Sequence, residues 1–334
     1  VCVFIRAMCI RVWMKRDAKS MKAIVTSRYG GAEVLELQEV ERPAIGEDEI
    51  LVQIRACSVN PIDWKVRKGA YKVLTGPKPP RILGGDYAGV VVAVGSRITG
   101  YEPGDAVWGF IDSFKRGTYA EYVNVRGEEI DLKPKCLSFK EAASMPTVGL
   151  TAYQALVYKG RIEKEERVLI NGSSGGVGLS AVQIARAFDA HVTGVCSTKN
   201  LSTVRNMGAN DVIDYTQQDL LDGNSAYDII FDVVSNQSFS RVKSKLTRGS
   251  VYVRTLPSFR SLLLGPLTNM FSAKQVKSFD CKASREDLIT LRQMVDEGTL
   301  SPVIENVYPL ERVRDAYARS ETGHVVGKLV LEII

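Results

Sequence analysis

The stretch RVLINGSSGGVGLSAVQIA, residues 167–185, contains an apolar run, a glycine-dense turn and a second apolar run. The first run predicts a strand, and the second predicts a helix that begins near Val177. A strand that passes through a glycine-rich turn into a helix is the phosphate-binding arrangement of nucleotide folds, because the free N–H groups and the positive dipole end of the helix suit a pyrophosphate. We therefore predict dinucleotide binding at this turn.

Six residues of the turn are candidates for contact with the dinucleotide: Ser173, Ser174, Gly175, Gly176, Val177 and Gly178. We expect Gly175 and Gly176 to let the backbone approach the phosphates, and Gly178 to let the helix pack closely on the strand. Ser173 occupies the place of the first glycine in the strict GxGxxG motif, so the motif is incomplete. A turn of this kind is weak evidence alone, and its support here comes from the flanking elements.

Those flanking elements alternate between strand and helix beyond about residue 140. Two helical stretches punctuated by Pro146 and Gly149 come first. The predicted order is then RVLIN, a helix at 177–188, HVTGVC, a helix at 199–207, DVIDY, a helix near 216–222, YDIIFDVV, a helix at 238–246 and SVYVRTL. Alternation with short connections predicts a doubly wound parallel sheet, an α/β Rossmann fold.

Residues 21–140 have a different pattern, with short β-rich runs separated by clusters of glycine, proline and aspartate such as GPKPP and YEPGD. This pattern predicts a partly closed antiparallel β-barrel. In the C-terminal part we predict a helix at 284–297, a strand at VIENVYPL and a helix near 311–320. The final strand, GKLVLEII, is expected to return to the sheet of the first domain.

The run CSTKN, residues 196–200, indicates whether the dinucleotide is NADH or NADPH. In NAD sites an acid ends the second strand about 20 residues beyond the turn and holds the ribose 2′-hydroxyl. Counting 21 residues from Gly175 reaches Cys196, which is followed by Ser197, Thr198 and Lys199. Two hydroxyls and one cation attract a 2′-phosphate, so we predict NADPH as the cofactor. A compatible alternative is that the run only caps and starts a helix.

The amino-acid composition and the net charge argue against several other classes of protein. The chain has 334 residues, 45% hydrophobic and 25% charged, without the roughly 20 consecutive apolar residues of a membrane span. Six cysteines without a CxxC pair indicate a reduced, cytoplasmic protein. The net charge is +6, but residues 1–20 hold five bases and one acid, or +4, and the other 314 residues hold only +2. Nucleic-acid binding is therefore disfavoured.

Residues 1–20 do not resemble the rest of the chain, and Met21 opens a natural first strand. Three interpretations remain open: translated upstream sequence or an artefact, a basic targeting segment, and a genuine arm. The segment has arginines at 6, 11 and 16 but lacks the serine richness of a transit peptide, and we favour the artefact.

Seven stretches, one of them the glycine-rich turn with its helix, carry a family resemblance: ACSVNPIDWKVRKGAY (56–71), LGGDYAGVVVAVG (83–95), YEPGDAVWG (101–109), GTYAEYVNV (117–125), AASMPTVGLTAY (142–153), INGSSGGVGLSAVQIA (170–185) and GANDVIDY (208–215). With them the chain from 21 to 334 resembles the zinc-independent medium-chain dehydrogenase/reductases, in the quinone oxidoreductase branch. It is also similar to bacterial proteins named NAD(P)-dependent alcohol dehydrogenase. The resemblance implies a GroES-like catalytic domain at 21–142 and 282–334, and a Rossmann domain at 143–281.

The resemblance also bears on metals. Zinc-dependent members use a cysteine and a histidine as catalytic ligands, whereas Asn60 and Gly85-Asp86 stand at those places here, and the lobe with four cysteines is missing. An amide and a glycine do not replace a thiolate and an imidazole, so we expect no metal site.

By resemblance, the substrate cleft contains Asn60, Asp63 and Tyr71. We expect Asn60 to position the nicotinamide or the substrate carbonyl, and Asp63 to brace its loop. Tyr71 is either a proton donor or a packed aromatic at the mouth of the cleft. On the cofactor side the resemblance implies Thr151 near the nicotinamide, or else bonded to a carbonyl one turn back, and Tyr215 beside the adenosine phosphate.

The function implied is NADPH-dependent reduction of quinones or α,β-unsaturated carbonyls by hydride transfer. The alternatives are an alcohol or aldehyde dehydrogenase of the same superfamily, and an NADPH-binding protein with a mainly structural or partner-binding role. Members of this branch commonly dimerise through their Rossmann sheets, so we expect a homodimer that uses the strand SVYVRTL and the segment after it. The irregular segment 256–280 is expected to form a lid or a subunit contact.

Overall fold

The structure, a computed structural model, describes residues 20–112, 114–255 and 273–333. Residues 1–19 of the N-terminal extension lie outside the described residues, and so do residues 256–272 of the expected lid or subunit contact. Ser20, the last residue of the predicted extension, belongs to the first strand and pairs with Glu41.

The strands of the described chain form three sheets. In chain order they are β1 Ser20–Thr26, β2 Leu35–Glu41, β3 Ile50–Val59, β4 Asp86–Val94, β5 Ala106–Phe110, β6 Tyr122–Val125, β7 Ile130–Leu132, β8 Arg167–Asn171, β9 His191–Cys196, β10 Asp211–Asp214, β11 Tyr227–Asp232, β12 Leu246–Arg254, β13 Gln275–Ser278, β14 Ile304–Pro309 and β15 Lys328–Glu332.

The α-helices of the described chain lie between these strands. In chain order they are α1 Pro61–Arg67, α2 Lys72–Thr75, α3 Phe139–Ala143, α4 Pro146–Tyr153, α5 Gly176–Ala187, α6 Leu201–Asn206, α7 Phe239–Val242, α8 Arg285–Asp296 and α9 Val313–Glu321. A π-helical turn at Gln154–Gly160 continues α4.

The nucleotide-fold prediction is confirmed by a six-stranded parallel sheet in the order β10-β9-β8-β11-β12-β13. The order reverses between β8 and β11, and ligands of such sheets bind in the crevice at the carboxyl ends of the strands next to this reversal. The apolar run of β8 is fully buried because helices cover both faces of a parallel sheet. The glycine-rich turn follows β8 directly and therefore lies at the crevice.

The second large sheet has the order β14-β15-β3-β4-β5-β7, with β6 also on β3, while β1 and β2 form a separate hairpin. This sheet is mixed and not closed into a full barrel, as expected for a partly closed one. The last strand, β15, pairs antiparallel with β3, so the expected return of the C-terminus to the first sheet is confirmed. That return brings Lys328 to the carboxyl end of β3.

Two predicted secondary-structure features were wrong. Residues 216–222 form turns, because the carboxylates of Asp219 and Asp222 accept local backbone N–H groups and compete with helical hydrogen bonds. Gly149 does not interrupt a helix: it lies inside α4, where a Cβ would come within 2.9 Å of Leu291, so the missing side chain lets α8 approach.

The predicted dimer contact has two parts, the strand SVYVRTL and the segment after it, and the structure places the first inside the parallel sheet and β13 of the second at its edge. β12, which contains SVYVR, pairs with β11 on one side and with β13 on the other. A strand paired on both sides cannot extend a sheet into a second subunit. The outermost described strand on that side is β13.

The two large sheets divide the chain along its sequence. The mixed sheet takes strands from residues 50–132 and 304–332, and the parallel sheet takes strands from 167–278. We propose that the domain boundaries follow this division, with 143–281 as the nucleotide-binding domain and 21–142 with 282–334 as the catalytic domain. No helix among the described residues is long and apolar enough to cross a membrane.

Candidate active site

The glycine-rich turn is fixed to the neighbouring strand through Ser173. The backbone N–H and the hydroxyl of Ser173 both donate to the carbonyl oxygen of Val195, at 3.0 and 2.9 Å. Gly172 has φ +86°, a conformation that favours glycine, and turns the chain out of β8. Ser173 is fully buried, so its side chain holds the turn in place and does not face the crevice.

The three glycines expected to serve the nucleotide have different surroundings. A Cβ on Gly175 would find its nearest neighbour, the Gly172 carbonyl oxygen, only at 3.8 Å, so this backbone is open to approach. A Cβ on Gly178 would lie 2.2 Å from that same oxygen, which explains why the helix packs so closely here. A Cβ on Gly176 would meet the Lys328 stem at 2.8 Å and Val148 at 2.9 Å. Gly176 therefore accommodates protein side chains.

The residues after β9 lie beside the turn, as the sequence predicts. Ser197 precedes a short 3-10 helix, Thr198–Asn200, so the interpretation of CSTKN as a helix start is confirmed. The side-chain amide of Asn200 donates to Ser174 at 3.0 Å and to Ser197 at 3.3 Å, and thereby joins the two halves of the predicted nucleotide site. Lys199 is exposed.

Tyr215 and Thr151, the two other predicted cofactor contacts, lie on different elements: Tyr215 follows β10 and Thr151 is in α4. The ring of Tyr215 is exposed, and its backbone N–H donates to the carbonyl of Cys196 at the end of β9. Thr151, on α4, is buried and donates to the carbonyl of Thr147 one turn back at 2.6 Å. The Thr151 hydroxyl proton is therefore engaged within the helix, and only its oxygen lone pairs are available to a ligand.

Asn60 and Asp63 are brought together at the start of α1. One carboxylate oxygen of Asp63 accepts the backbone N–H of Asn60 at 2.8 Å and the hydroxyl of Tyr119 at 2.7 Å. Asp63 is fully buried, and this burial raises the pKa of its carboxyl from 3.8 to about 7. The contacts are those of a residue that braces the loop under Asn60.

Asp86, at the start of β4, connects this loop to the nucleotide-binding side. It is fully buried and accepts hydrogen bonds from the Ser58 hydroxyl at 2.5 Å and the Asn60 amide at 2.8 Å. Its other oxygen accepts the backbone N–H and the hydroxyl of Thr147, at 2.7 and 2.6 Å. Because Thr147 lies in the first turn of α4, a single carboxylate joins the mixed sheet to this helix.

Lys328, the first residue of β15, completes the cluster. Its ammonium donates to the backbone oxygen of Val59 at 3.0 Å and to the side-chain oxygen of Asn60 at 2.5 Å, and lies 3.6 Å from Asp86. Burial lowers the pKa of this ammonium, while the facing carboxylates of Asp86 and Asp63 oppose that shift.

Tyr71 lies apart from this cluster. Its ring packs on Phe114 with centroids 5.5 Å apart. Partial burial, together with the charge of Asp280, raises the pKa of its hydroxyl, which therefore stays protonated at neutral pH. These contacts agree with both sequence interpretations, a proton donor and a packed aromatic.

The fold and these geometries together define a class of protein. A parallel sheet with a glycine-rich phosphate turn, joined through a polar cluster to a GroES-like sheet, is the architecture of an oxidoreductase that uses a nicotinamide dinucleotide.

Comparison with known families gives the same class. Residues 46–135 match the family described as "Alcohol dehydrogenase GroES-like domain", and residues 207–331 match "Zinc-binding dehydrogenase". Over 94% of this chain and 89% of its own length, the human "NAD(P)H oxidoreductase RTN4IP1, mitochondrial" is 35% identical. The tomato (Solanum lycopersicum) "2-methylene-furan-3-one reductase" is 36% identical over 94% of this chain and 79% of its own length.

Solved structures agree with these relatives. The quinone oxidoreductase from Coxiella burnetii superposes with a TM-score of 0.86 at 31% identity, covering 95% of this chain and all of that one (100%). The Escherichia coli quinone oxidoreductase complexed with NADPH gives 0.82 at 26% identity, covering 93% and 99%. The chain belongs to the medium-chain dehydrogenase/reductases, in their quinone oxidoreductase branch.

The name of the second matched family implies zinc, and the residues present do not fit that metal. Among the described residues, no group of three or more His, Cys, Asp or Glu side chains is arranged to hold a metal ion. Near Asn60, the carboxylate of Asp86 is already bonded to protein donors, and the Lys328 ammonium lies where its charge would repel a dication. An amide and an ammonium are also not zinc ligands.

A nicotinamide dinucleotide, in contrast, fits the residues present. The backbone at Gly175 is open, and the first N–H groups of the twelve-residue helix α5 have no intrahelical acceptor. The crevice at the strand ends brings together the glycine-rich turn, Ser197 and Tyr215.

Sequence reasoning missed the roles of four residues of this site. They are Asp86, which accepts hydrogen bonds from Ser58, Asn60 and Thr147, together with Thr147, Asn200 and Lys328. Two of them carry a signal that could have been used. Lys328 is a charged residue that opens the apolar strand KLVLE, and Asp86 is an acid that opens the buried strand DYAGVVVAV. A charge at the start of an apolar strand is costly unless it is paired, so the two predict each other as partners. Thr147 and Asn200 have no such signal.

Proposed function

We propose that this protein is an NADPH-dependent, zinc-free reductase of quinones or α,β-unsaturated carbonyls. The observation that carries the proposal is the cluster of Asn60, Asp86 and Lys328: by resemblance Asn60 and Asp86 stand at the places of catalytic metal ligands, and the stem of Lys328 lies against Gly176 of the nucleotide turn.

The chemistry of this cluster favours conjugated acceptors. An isolated carbonyl needs strong polarisation, such as a metal provides, before it accepts a hydride. A quinone or an enone accepts the hydride at carbon, and the negative charge that develops on its oxygen can be stabilised by a few hydrogen bonds. The bound nicotinamide supplies the hydride. The names of relatives, a quinone oxidoreductase and a 2-methylene-furan-3-one reductase, support the same acceptor class.

In this proposal the cofactor contacts are distributed along the crevice. The backbone of Ser174, Gly175 and Val177 binds the pyrophosphate, in a turn held by Ser173 and shaped by Gly176 and Gly178. Ser197 and Lys199 bind the 2′-phosphate, Tyr215 packs beside the adenosine, and Thr151 lies near the nicotinamide. The single proton of Thr198 is donated to Asp214, so Thr198 offers lone pairs only.

In the substrate cleft, Asn60 orients the acceptor or the nicotinamide with the second N–H of its amide, because the first donates to Asp86. Asp63 braces this loop. Tyr71 donates the proton that completes reduction, in keeping with a hydroxyl that stays protonated at neutral pH.

The experiment is an assay of NADPH and NADH oxidation with quinones, enones, enals and saturated aldehydes. We expect turnover of the conjugated acceptors with NADPH strongly preferred. Reduction of saturated aldehydes at equal rates, together with stoichiometric zinc in the purified protein, would favour the alcohol dehydrogenase alternative. Nucleotide binding without turnover of any acceptor would favour the structural or partner-binding alternative.

We further propose a homodimer and a cytoplasmic location. The outermost position of β13 in the parallel sheet supports an edge-to-edge dimer, and a single monomeric species in sedimentation at micromolar concentration would refute it. The four described cysteines are free, which supports a reducing compartment, although curated relatives bear mitochondrial and chloroplastic names. Localisation of the tagged full chain by microscopy tests this proposal.

A further inference from the structure

Lys328 is the one lysine among the described residues that is buried, with 5% of its surface exposed. Its methylene stem lies against Gly176 of the nucleotide turn, where a Cβ would meet the stem at 2.8 Å. Its ammonium lies at the other end of the same side chain, 2.5 Å from the Asn60 side-chain oxygen. One side chain thus reaches from the phosphate-binding turn to the substrate cleft.

The backbone next to Lys328 is fixed to the same turn. The N–H of Gly327 donates to the carbonyl of Ser174 at 3.0 Å, and Gly327 forms an isolated bridge with Gly175. Gly327 has φ +69°, and a Cβ there would lie 2.2 Å from the carbonyl oxygen of Val303. The start of β15 is therefore placed by the turn, and a shift of the turn moves Lys328 with it.

The contacts of the ammonium also fix the Asn60 amide. An amide group can be turned over to exchange its oxygen and its nitrogen, and its orientation is set by its partners. The ammonium can only donate and the Asp86 carboxylate can only accept. The Asn60 oxygen must therefore face Lys328 and the nitrogen must face Asp86. The second N–H of the amide is left with a defined direction.

We propose that Lys328 is a positioning residue, which holds the Asn60 amide in its reactive orientation and couples that orientation to the nucleotide-binding turn. This inference rests on the proposed function, because the acceptor or the nicotinamide is what Asn60 orients. Lys328 itself touches neither: it acts through Asn60.

The test is a double-mutant cycle of Lys328→Met and Asn60→Ala, measured with NADPH and a quinone acceptor. Methionine keeps most of the stem against Gly176 but removes the three donors. We expect Lys328→Met to lower kcat about tenfold or more while the NADPH dissociation constant, from nucleotide fluorescence, changes less than about threefold. In the Asn60→Ala background the same substitution should change kcat less than about twofold, since the residue it acts through is gone.

Lys140→Met is the matched control. Lys140 also pairs with a residue of β15, Glu332, at 3.0 Å, but this ion pair is exposed. We expect kcat and nucleotide affinity to stay unchanged in this variant.

Lys328→Met leaves Asp86 and Asp63 without their cation and can fail to fold. The double variant Lys328→Met/Asp63→Asn removes the ammonium together with one of the two buried carboxyls that face it, and its kcat is then compared with that of Asp63→Asn alone. A drop of about tenfold or more between these two supports the proposal, with folding checked by nucleotide binding.

The outcomes separate the two proposals. Absence of turnover by the unmodified protein would overturn the proposed function and this inference with it. Turnover by the unmodified protein with an equally active Lys328→Met variant would overturn the inference alone. Losses that multiply in the double mutant would also overturn it, because a residue that acts independently of Asn60 does not position it.

Discussion

Thr198 donates its hydroxyl proton to Asp214 at 2.5 Å, across the ends of β9 and β10. The hydroxyl of Thr216 contacts both residues, at 2.9 and 2.7 Å. The sequence predicted a ribose site without an acid because β9 ends in cysteine. An acid nevertheless reaches this place from the neighbouring strand, which sequence separation alone does not reveal. These hydrogen bonds lower the pKa of Asp214, so it is ionised at neutral pH.

Substitution of the charged residues at this place should change selectivity between the two nucleotides. Lys199→Ala removes an exposed cation and should weaken NADPH binding by about two- to fivefold, the scale of an exposed charge pair. Asp214→Asn removes a negative charge and should strengthen NADPH binding by a similar factor. Affinities for NADPH and NADH are measured by fluorescence titration at low and high salt.

NADH serves as the internal control for both variants, because it lacks the 2′-phosphate and its affinity should change less than about twofold. An equal change for the two nucleotides would show that Lys199 and Asp214 lie away from the ribose phosphate. The difference should shrink at high salt, since exposed charges are screened.

Two glycine-to-alanine variants in the nucleotide-binding turn should affect different properties: Gly175→Ala should weaken NADPH binding, and Gly178→Ala should lower the stability of the fold. Gly175 has φ −79° and an open side, so alanine fits its backbone, and Gly175→Ala should leave the melting temperature nearly unchanged. The added methyl points into the space where the pyrophosphate would lie, and we expect at least about tenfold weaker NADPH binding.

Gly178→Ala is the counterpart three residues further on, in the first turn of α5. Its methyl would lie 2.2 Å from the Gly172 carbonyl oxygen and 2.6 Å from the Ser173 Cα, both backbone atoms that cannot move aside. We expect a destabilisation of about 1–3 kcal/mol, as for overpacking, seen as a lower melting temperature without nucleotide. Unchanged binding by Gly175→Ala would place the phosphates away from this part of the turn.

Features that are local in sequence were predictable. The alternation of strands and helices, the glycine-rich turn of residues 171–178 and the start of α4 at Pro146 each depend on neighbours in the chain. The predicted helix at 216–222 was wrong because the short-range bonds of Asp219 and Asp222 are individually weak signals.

The contacts across the site were not predictable, because they join distant positions. Asn60 and Lys328 are 268 residues apart and meet only when β15 pairs with β3. Asp86 and Thr147 are 61 residues apart and meet where the start of α4 packs against the start of β4. A sequence motif identified Asn60, but its partners depend on the topology.

Cysteine reactivity should follow exposure and pKa. Cys281 is half-buried beside Thr151, and burial raises the pKa of its thiol to about 12, while Cys136 is exposed. The thiolate is the reactive form, so a maleimide at pH 7.5 should modify Cys136 at least about tenfold faster than Cys281. Peptide mass spectrometry over time measures the two rates.

The matched variant is Cys136→Ser, which should leave the modification rate of Cys281 unchanged. Equal rates at the two cysteines would mean that Cys281 is open to solvent.

The Asp63 carboxyl should make stability depend on pH. Its pKa is raised from 3.8 to about 7, so the folded protein holds this proton more tightly than the unfolded chain does. The contribution of Asp63 to stability is therefore complete below about pH 4 and is lost as the pH rises to about 7. Asp63→Asn keeps an acceptor for Tyr119 and for the Asn60 N–H but does not titrate. The melting temperature of the unmodified protein minus that of Asp63→Asn should thus fall by several degrees across this range, since each pKa unit corresponds to about 1.4 kcal/mol.

Thermal unfolding at half-unit steps from pH 4.5 to 8 measures this difference, and other titrating groups cancel because both proteins carry them. Asp48→Asn is the control, because the Asp48 side chain is 67% exposed and its removal should give a nearly constant difference. A flat profile for Asp63→Asn would mean that the carboxylate is stabilised as an anion at all these pH values, by Lys328 in place of a proton. A rising profile would reverse the direction of the shift and would place Asp63 among the residues that fold ionised.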